Sequence, residues 1–138
     1  MKANLFSHVG ILVKSCDEAA KQWEARFGFQ LVEEIVSEVE GVRSLFLALP
    51  GGGEQAARVE LVEPLRPDDP ANPISRRLAE KGEGFFQLAL RVDDPAGHGK
   101  ELRAMGLKVF DAPPFREGEP PRAIVHPGGA NGVLVELM

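Results

Sequence analysis

The sequence of 138 residues predicts an α+β fold in which one βαβββ module occurs twice. Three observations support this fold class. Short apolar segments rich in β-branched residues are separated by fifteen glycines and eleven prolines, a pattern typical of several short strands. Helix start and stop signals occur at corresponding places in the two halves. The halves also align on each other at a nearly constant spacing, which indicates an internal repeat.

The first module, about residues 5–63, is predicted to contain one helix and four strands. Residues 6–13 are apolar and form the first strand. Ser15 and Glu18 have the spacing of a capping box, in which each side chain satisfies a backbone N–H of the other, so a helix begins there. Gly28 ends this helix, because glycine readily adopts the left-handed conformation that closes a helix. The remaining predicted strands are residues 30–36, 42–49 and 57–62.

A proline-rich connector, residues 64–84, separates the two modules. Asn72 is the predicted N-cap of a short helix within it, Pro73 is the first helical residue, and Gly82 ends the helix.

The second module, residues 85–138, repeats the order βαβββ, so the whole chain is predicted to be a single domain. Asp94 and Pro95 are typical of a helix start, and Gly106 is the predicted end of that helix. The predicted strands are residues 85–92, 107–110, 123–126 and 132–137.

In each module one polar residue interrupts the first strand and one carboxylate interrupts the last. These residues are His8 and Glu60 in the first module and Gln87 and Glu136 in the second, at spacings of 79 and 76 residues. A carboxylate inside a strand built for burial needs a partner, because an unpaired buried charge is very costly. If the modules pair about a pseudo-twofold axis, the four side chains converge on one cleft. They then offer one imidazole nitrogen and three oxygens, and the two carboxylates balance a divalent cation.

The composition excludes several classes of partner. The net charge of -5 and the pI near 5.2 argue against nucleic-acid binding, since no basic cluster is present to neutralise phosphates. The single cysteine, Cys16, cannot form an internal disulfide and indicates a reducing compartment. No signal peptide is recognisable, and no apolar run approaches the roughly 20 residues that a membrane span needs. We therefore expect a cytoplasmic protein with no membrane partner.

Three segments carry a resemblance to a known family: HVGILVKSCDEAAKQWEARFGF, RVELVEPLRPDDPANPISRRLAEKGEGFFQLALRVDD and AIVHPGGANGVLVEL. Together they resemble the vicinal oxygen chelate (glyoxalase/bleomycin resistance/dioxygenase) superfamily, and its methylmalonyl-CoA epimerase branch most closely. The resemblance implies a glyoxalase-like fold, in which the two modules pair into an open mixed β-sheet with a metal-binding cleft. It also implies a divalent metal ion (Co, Mn, Mg, Ni or Zn) and a homodimer.

By position, His8, Glu60 and Glu136 fall on metal-ligand positions of the family, and two departures from its pattern matter. Gln87 stands where the third ligand is usually histidine; an amide oxygen can also bind a metal, and it favours Mn²⁺, Co²⁺ or Mg²⁺. Ser44 stands where some epimerases carry an acidic catalytic residue. The resemblance therefore implies that Glu136 or Glu60 is the catalytic base.

The predicted activity is a proton shift next to a carbonyl, with an acyl-CoA thioester as the small-molecule substrate. One alternative is a glyoxalase I-like lactoylglutathione lyase, which would act on a glutathione-type adduct. The other is a non-catalytic small-molecule-binding module of the resistance type.

Other polar and aromatic residues have structural interpretations. His126 precedes a turn and is predicted to lie at the surface. His98 is predicted to be a solvated helix residue, whereas Trp23 and Phe27 are predicted to pack in the core.

Overall fold

A computed structural model describes residues 1–138, with eight strands, three α-helices and one turn of 3₁₀-helix. The predicted order, βαβββ, a connecting helix and βαβββ again, is confirmed. None of the helices is both long and apolar enough to cross a lipid bilayer. The elements are β1 (Leu5–Leu12), α1 (Cys16–Phe27), β2 (Gln30–Ser37), β3 (Val42–Ala48), β4 (Arg58–Pro64), α2 (Pro73–Lys81), β5 (Gly84–Arg91), α3 (Pro95–Ala104), β6 (Val109–Ala112), β7 (Arg122–Val125), the 3₁₀ turn (Pro127–Gly129) and β8 (Leu134–Leu137).

The chain divides into two compact units. The middle unit is Val9–Phe85, and the terminal unit combines Met1–His8 with Phe86–Met138. Strand β1 is therefore shared, because its first four residues belong to the terminal unit and the rest to the middle unit. The module limits predicted above concern the repeat rather than these units, and they stay a prediction.

In the middle unit, β2, β3 and β4 form an antiparallel arrangement with the remainder of β1 beside β4. Helix α1 begins as predicted, since Ser15 Oγ accepts a hydrogen bond from the Glu18 N–H at 3.2 Å. It ends at Gly28, which has a left-handed φ of 79°. One face of the strands packs against the helix and forms the core of this unit, with Val13, Cys16, Ala19, Leu45, Leu47, Val59 and Leu61.

Helix α2 is anchored by its cap. Asn72 Oδ1 accepts hydrogen bonds from the N–H groups of Ile74 and Ser75, while its Nδ2 donates to the Glu40 carbonyl at 2.9 Å. Gly82 ends the helix, as predicted. The asparagine therefore both starts the helix and ties it to the turn between β2 and β3.

In the terminal unit the strand order is β5-β8-β7-β6. Strands β5 and β8 are parallel, whereas β8, β7 and β6 are antiparallel neighbours. Helix α3 begins at the predicted cap, where Asp94 Oδ1 accepts from the Gly97 N–H at 3.0 Å. Its core comprises Val92, Val109, Ala123, Val125 and Leu137.

Four predictions for individual elements and residues were wrong. The last strand is Leu134–Leu137 rather than 132–137, because Gly132 and Val133 still belong to the preceding turn, where their N–H groups donate to the carbonyls of Pro127 and Ala130. The sixth strand is Val109–Ala112 rather than 107–110, because Leu107 is still engaged in ending α3, where its N–H donates to the Leu102 carbonyl at 3.1 Å. His98 is only 9% exposed, since it lies on the side of α3 that is buried. Phe27 is 59% exposed, because it is the last residue of α1 and packs edge-on against Trp23 beyond the sheet core.

Cys16 provides a pH-dependent contribution to stability. Burial, with a further contribution from the Glu63 carboxylate, raises the pKa of its thiol from 9.0 to about 12. The thiol ionises near pH 9 in the unfolded chain but stays protonated in the folded one, so the folded state binds more protons between these values. We expect the free energy of unfolding to fall as the pH rises from about 9 towards 12. Urea unfolding at several pH values checks this, and Cys16→Ala should lose that part of the slope. An identical slope in Cys16→Ala would contradict the assignment.

Candidate active site

The terminal unit carries a polar face on the side of its strands away from α3. Side chains alternate along a strand, so Leu90 and Val135 point towards α3 and their neighbours point away. In the register Glu136 of β8 lies beside Ala89 of β5 and Ile124 of β7. Gln87 is two residues from Ala89, and Arg122 two residues from Ile124. Gln87, Glu136 and Arg122 therefore share this face, and all three are buried.

A buried ion pair lies at the centre of this face. Nη1 of Arg122 is 3.3 Å from Oε2 of Glu136, and the two side chains are 5% and 1% exposed. The guanidinium is also held by its other atoms, since Nε donates to the Pro113 carbonyl at 2.7 Å. It lies over the Phe115 ring, 4.0 Å from the ring centroid. Arg122 is thus fixed on several sides.

His8 joins the same group of residues. It is 2% exposed, and its ring centroid lies 5.9 Å from that of Phe115. Ser7 Oγ is 3.0 Å from Nδ1 of His8 and donates to Met138 Sδ at 3.4 Å. The contact between the Ser7 hydroxyl and Nδ1 orients the imidazole ring of His8.

Glu60 lies on the corresponding face of the middle unit. It is 3% exposed and stands opposite Phe46 in the pairing of β4 with β3. Val59 and Leu61, its neighbours in the strand, pack with α1, so Glu60 points away from that helix. Ser44 is two residues from Phe46 and lies on the same face as Glu60. The buried carboxylate predicted for the last strand of each module is present in both units.

The structure therefore brings three of the four predicted ligand residues, His8, Gln87 and Glu136, into the terminal unit, and places Glu60 in the middle unit. Sequence reasoning missed Arg122 and Phe115. A signal for Arg122 was present, because this charged residue opens an apolar strand just as Glu60 and Glu136 interrupt theirs. His126 is exposed in its turn, as predicted, and its Nδ1 accepts from the Gly128 N–H at 2.9 Å.

The donor chemistry of these residues fits a divalent cation. His8 offers an imidazole nitrogen, Gln87 an amide oxygen and Glu136 a carboxylate, and all three are buried. No group of three or more His, Cys, Asp and Glu side chains is arranged to hold a metal ion. Oε2 of Glu136 is engaged by Arg122. The fit is therefore one of donor types rather than of a preformed cage.

The fold and these buried strand residues are those of a glyoxalase-type protein, and the sequence comparison agrees. A profile of the Glyoxalase/Bleomycin resistance protein/Dioxygenase superfamily matches residues 7–125. The chain belongs to this superfamily, which confirms the predicted resemblance and the glyoxalase-like α+β fold.

Within the superfamily the chain is similar to methylmalonyl-CoA epimerases. The mitochondrial methylmalonyl-CoA epimerase of Dictyostelium discoideum is 26% identical over 132 residues, which are 95% of this chain and 75% of that protein. The methylmalonyl-CoA epimerase of Mycobacterium tuberculosis is 32% identical, with 98% and 87% of the two chains covered and a TM-score of 0.83. A variant of the Streptomyces coelicolor enzyme, in complex with 2-nitronate-propionyl-CoA, is 28% identical, with 99% and 96% covered and a TM-score of 0.85.

Proposed function

We propose that this protein is an isomerase that epimerises C2 of methylmalonyl-CoA or of a closely related acyl-CoA thioester. The observation that carries this proposal is the similarity to epimerases over nearly the whole length of the chain, with a TM-score of 0.83 to 0.85. The buried carboxylates of Glu60 and Glu136 provide groups able to move a proton.

Epimerisation at C2 requires a base close to the acidic C2–H bond. The C2 proton of a methylmalonyl thioester is adjacent to the thioester carbonyl, so its removal gives an enolate. A carboxylate is a suitable general base for this step, and epimerisation requires that a proton return to the opposite face of C2. We assign these proton transfers to Glu136 and Glu60. Ser44, at the position where some epimerases have an acid, cannot serve as such a base.

A divalent cation belongs to the same proposal. His8, Glu60, Gln87 and Glu136 would hold it, and oxygen donors together with one imidazole suit Mn²⁺, Co²⁺ or Mg²⁺ better than softer metals such as Zn²⁺. When bound, such a cation supplies a Lewis acid that stabilises negative charge on a carbonyl oxygen. The protein residues themselves bind the substrate and transfer the proton.

The test is deuterium exchange at C2 of methylmalonyl-CoA in D₂O, followed separately from the 2R and 2S epimers with Mn²⁺, Co²⁺, Mg²⁺, Ni²⁺ or Zn²⁺. We expect exchange together with interconversion of the epimers. Absence of exchange with every cation would overturn the epimerase assignment. Conversion of the hemithioacetal of methylglyoxal and glutathione would instead support a glyoxalase I-like lyase, and tight ligand binding without turnover would support a binding module.

Ser7 gives a separate prediction about the cation. Because its hydroxyl contacts Nδ1 of His8 and thereby orients the ring, we expect Ser7→Ala to weaken Mn²⁺ binding about 10–100-fold, as loss of a partner of a ligand histidine does. Ser7→Thr keeps the hydroxyl and should retain most of the affinity. Ser37→Ala, which removes a hydroxyl that caps a turn in the middle unit, is the control. The Mn²⁺ electron paramagnetic resonance signal measures free metal, and an affinity of Ser7→Ala within twofold of wild type would contradict the prediction.

A homodimer and a cytoplasmic location complete the proposal. Light scattering on the purified protein measures the first, and cell fractionation the second.

A further inference from the structure

The candidate active site contains a positively charged side chain of the protein itself. Arg122 lies in the interior with its guanidinium against Glu136, which is itself a proposed metal ligand and proton carrier. Since the guanidinium of arginine stays charged at any physiological pH, this carboxylate has a positive partner before any metal arrives. A divalent ion bound to Glu136 would meet that charge at close range in a poorly screened environment.

We propose that Arg122 and the divalent cation compete for Glu136, so that metal binding requires the ion pair between Arg122 and Glu136 to open. This inference rests on the proposed function for the identity of the metal ligands. Arg122 would lower the affinity for the metal without being a ligand of it.

The surroundings of Arg122 indicate which part of the chain takes part in this exchange. The Pro113 carbonyl accepts from Nε at 2.7 Å, and the Phe115 ring covers the guanidinium at 4.0 Å. Both belong to the segment that joins β6 to β7. Phe115 also contacts the ring of His8, a second proposed ligand. If Arg122 moves away from Glu136, its contacts with this segment change. Because Phe115 also contacts His8, the same movement alters the surroundings of His8.

The alternative is that Arg122 is a structural residue with no influence on the metal. In that case its loss would leave metal affinity unchanged, or weaken it by disturbing Glu136. Competition predicts the opposite sign, since removal of a positive charge beside the ligand favours the metal. The sign of the change in affinity thus separates the two roles.

The experiment measures Mn²⁺ dissociation constants by electron paramagnetic resonance for wild type and three variants. We expect Arg122→Met to bind Mn²⁺ at least tenfold more tightly than wild type, whereas Arg122→Lys, which keeps the charge, stays much closer to wild type. Arg103→Met is the matched control, because Arg103 is also bonded to a backbone carbonyl and a carboxylate in the terminal unit. Circular dichroism establishes that each variant is folded. Unchanged, weaker or absent Mn²⁺ binding in folded Arg122→Met would overturn the proposal.

A second measurement uses the wild-type protein, so that it stands even if Arg122→Met does not fold. With ¹⁵N-labelled arginine, the Nε–H signal of Arg122 is assigned by its absence in Arg122→Lys and is followed during titration with Mg²⁺. We expect this signal to shift with metal occupancy while that of Arg103 does not. An Arg122 signal unmoved at saturating Mg²⁺ would overturn the proposal. Both readouts are independent of C2 exchange, so an inactive protein that shows tighter binding in Arg122→Met would overturn the proposed function alone.

Discussion

We expect Glu136→Gln to lower the rate of deuterium exchange at C2 of methylmalonyl-CoA by about 10²–10⁴-fold, the range typical of the removal of a general base. Glutamine has nearly the same shape as glutamate, but its amide cannot accept the proton of C2. It can still accept a hydrogen bond from Arg122, so the polar contact of this buried side chain is retained. The measurement is made at saturating metal, because the substitution also alters a proposed ligand.

Measuring exchange from each epimer separately distinguishes the roles of Glu136 and Glu60. If Glu136 and Glu60 act on opposite faces of C2, Glu136→Gln should lose exchange from one epimer much more than from the other, and Glu60→Gln should show the reverse preference. The control is Glu63→Gln, a carboxylate of the same strand as Glu60 that lies 3.9 Å from Arg43 and outside the proposed site. Exchange by Glu136→Gln within tenfold of wild type from both epimers would exclude Glu136 as a base.

The local signals in the sequence predicted the helices well. A cap needs only a side-chain oxygen a few residues ahead of the N–H groups that it accepts from, so Ser15 and Asn72 mark helix starts wherever the chain goes. The same holds for Gly28, whose left-handed conformation is a property of one residue. Strand limits were less accurate, because hydrogen bonding to other strands decides where a strand starts. The shift of β6 to Val109–Ala112 illustrates this.

The candidate site was predicted in part for a related reason. The repeat identified His8, Gln87, Glu60 and Glu136 as polar residues inside apolar strands, and all four are buried. The partner of Glu136 was not predicted, because it depends on the register that puts Ile124 beside Glu136 and thereby Arg122 two residues away. A slip of one residue would turn Arg122 to the other face of the sheet. Contacts fixed by register between distant segments carry no local signal.

The second large effect concerns this ion pair. In the presence of a chelator, Arg122→Met should lower the free energy of unfolding by about 3–5 kcal/mol, because it removes the cation that faces the buried Glu136 carboxylate. The lost charge and the lost contacts to Pro113 and Phe115 both contribute. Urea unfolding measures this change, and Arg103→Met, which removes a more exposed ion pair, should cost far less.

A double-mutant cycle separates the charge from the packing. Glu136→Leu in the Arg122→Met background removes the remaining buried carboxylate. The double variant should therefore be more stable than Arg122→Met itself, since replacing both members of a buried ion pair by apolar residues is often close to neutral. Costs of the two substitutions that simply add within about 0.5 kcal/mol would show that the pair is not coupled. Competition for Glu136 also requires that Mn²⁺ raise the stability of Arg122→Met more than that of wild type, because a ligand stabilises the folded state according to its affinity. A cation and a guanidinium that substitute for each other in this way share one electrostatic role at Glu136.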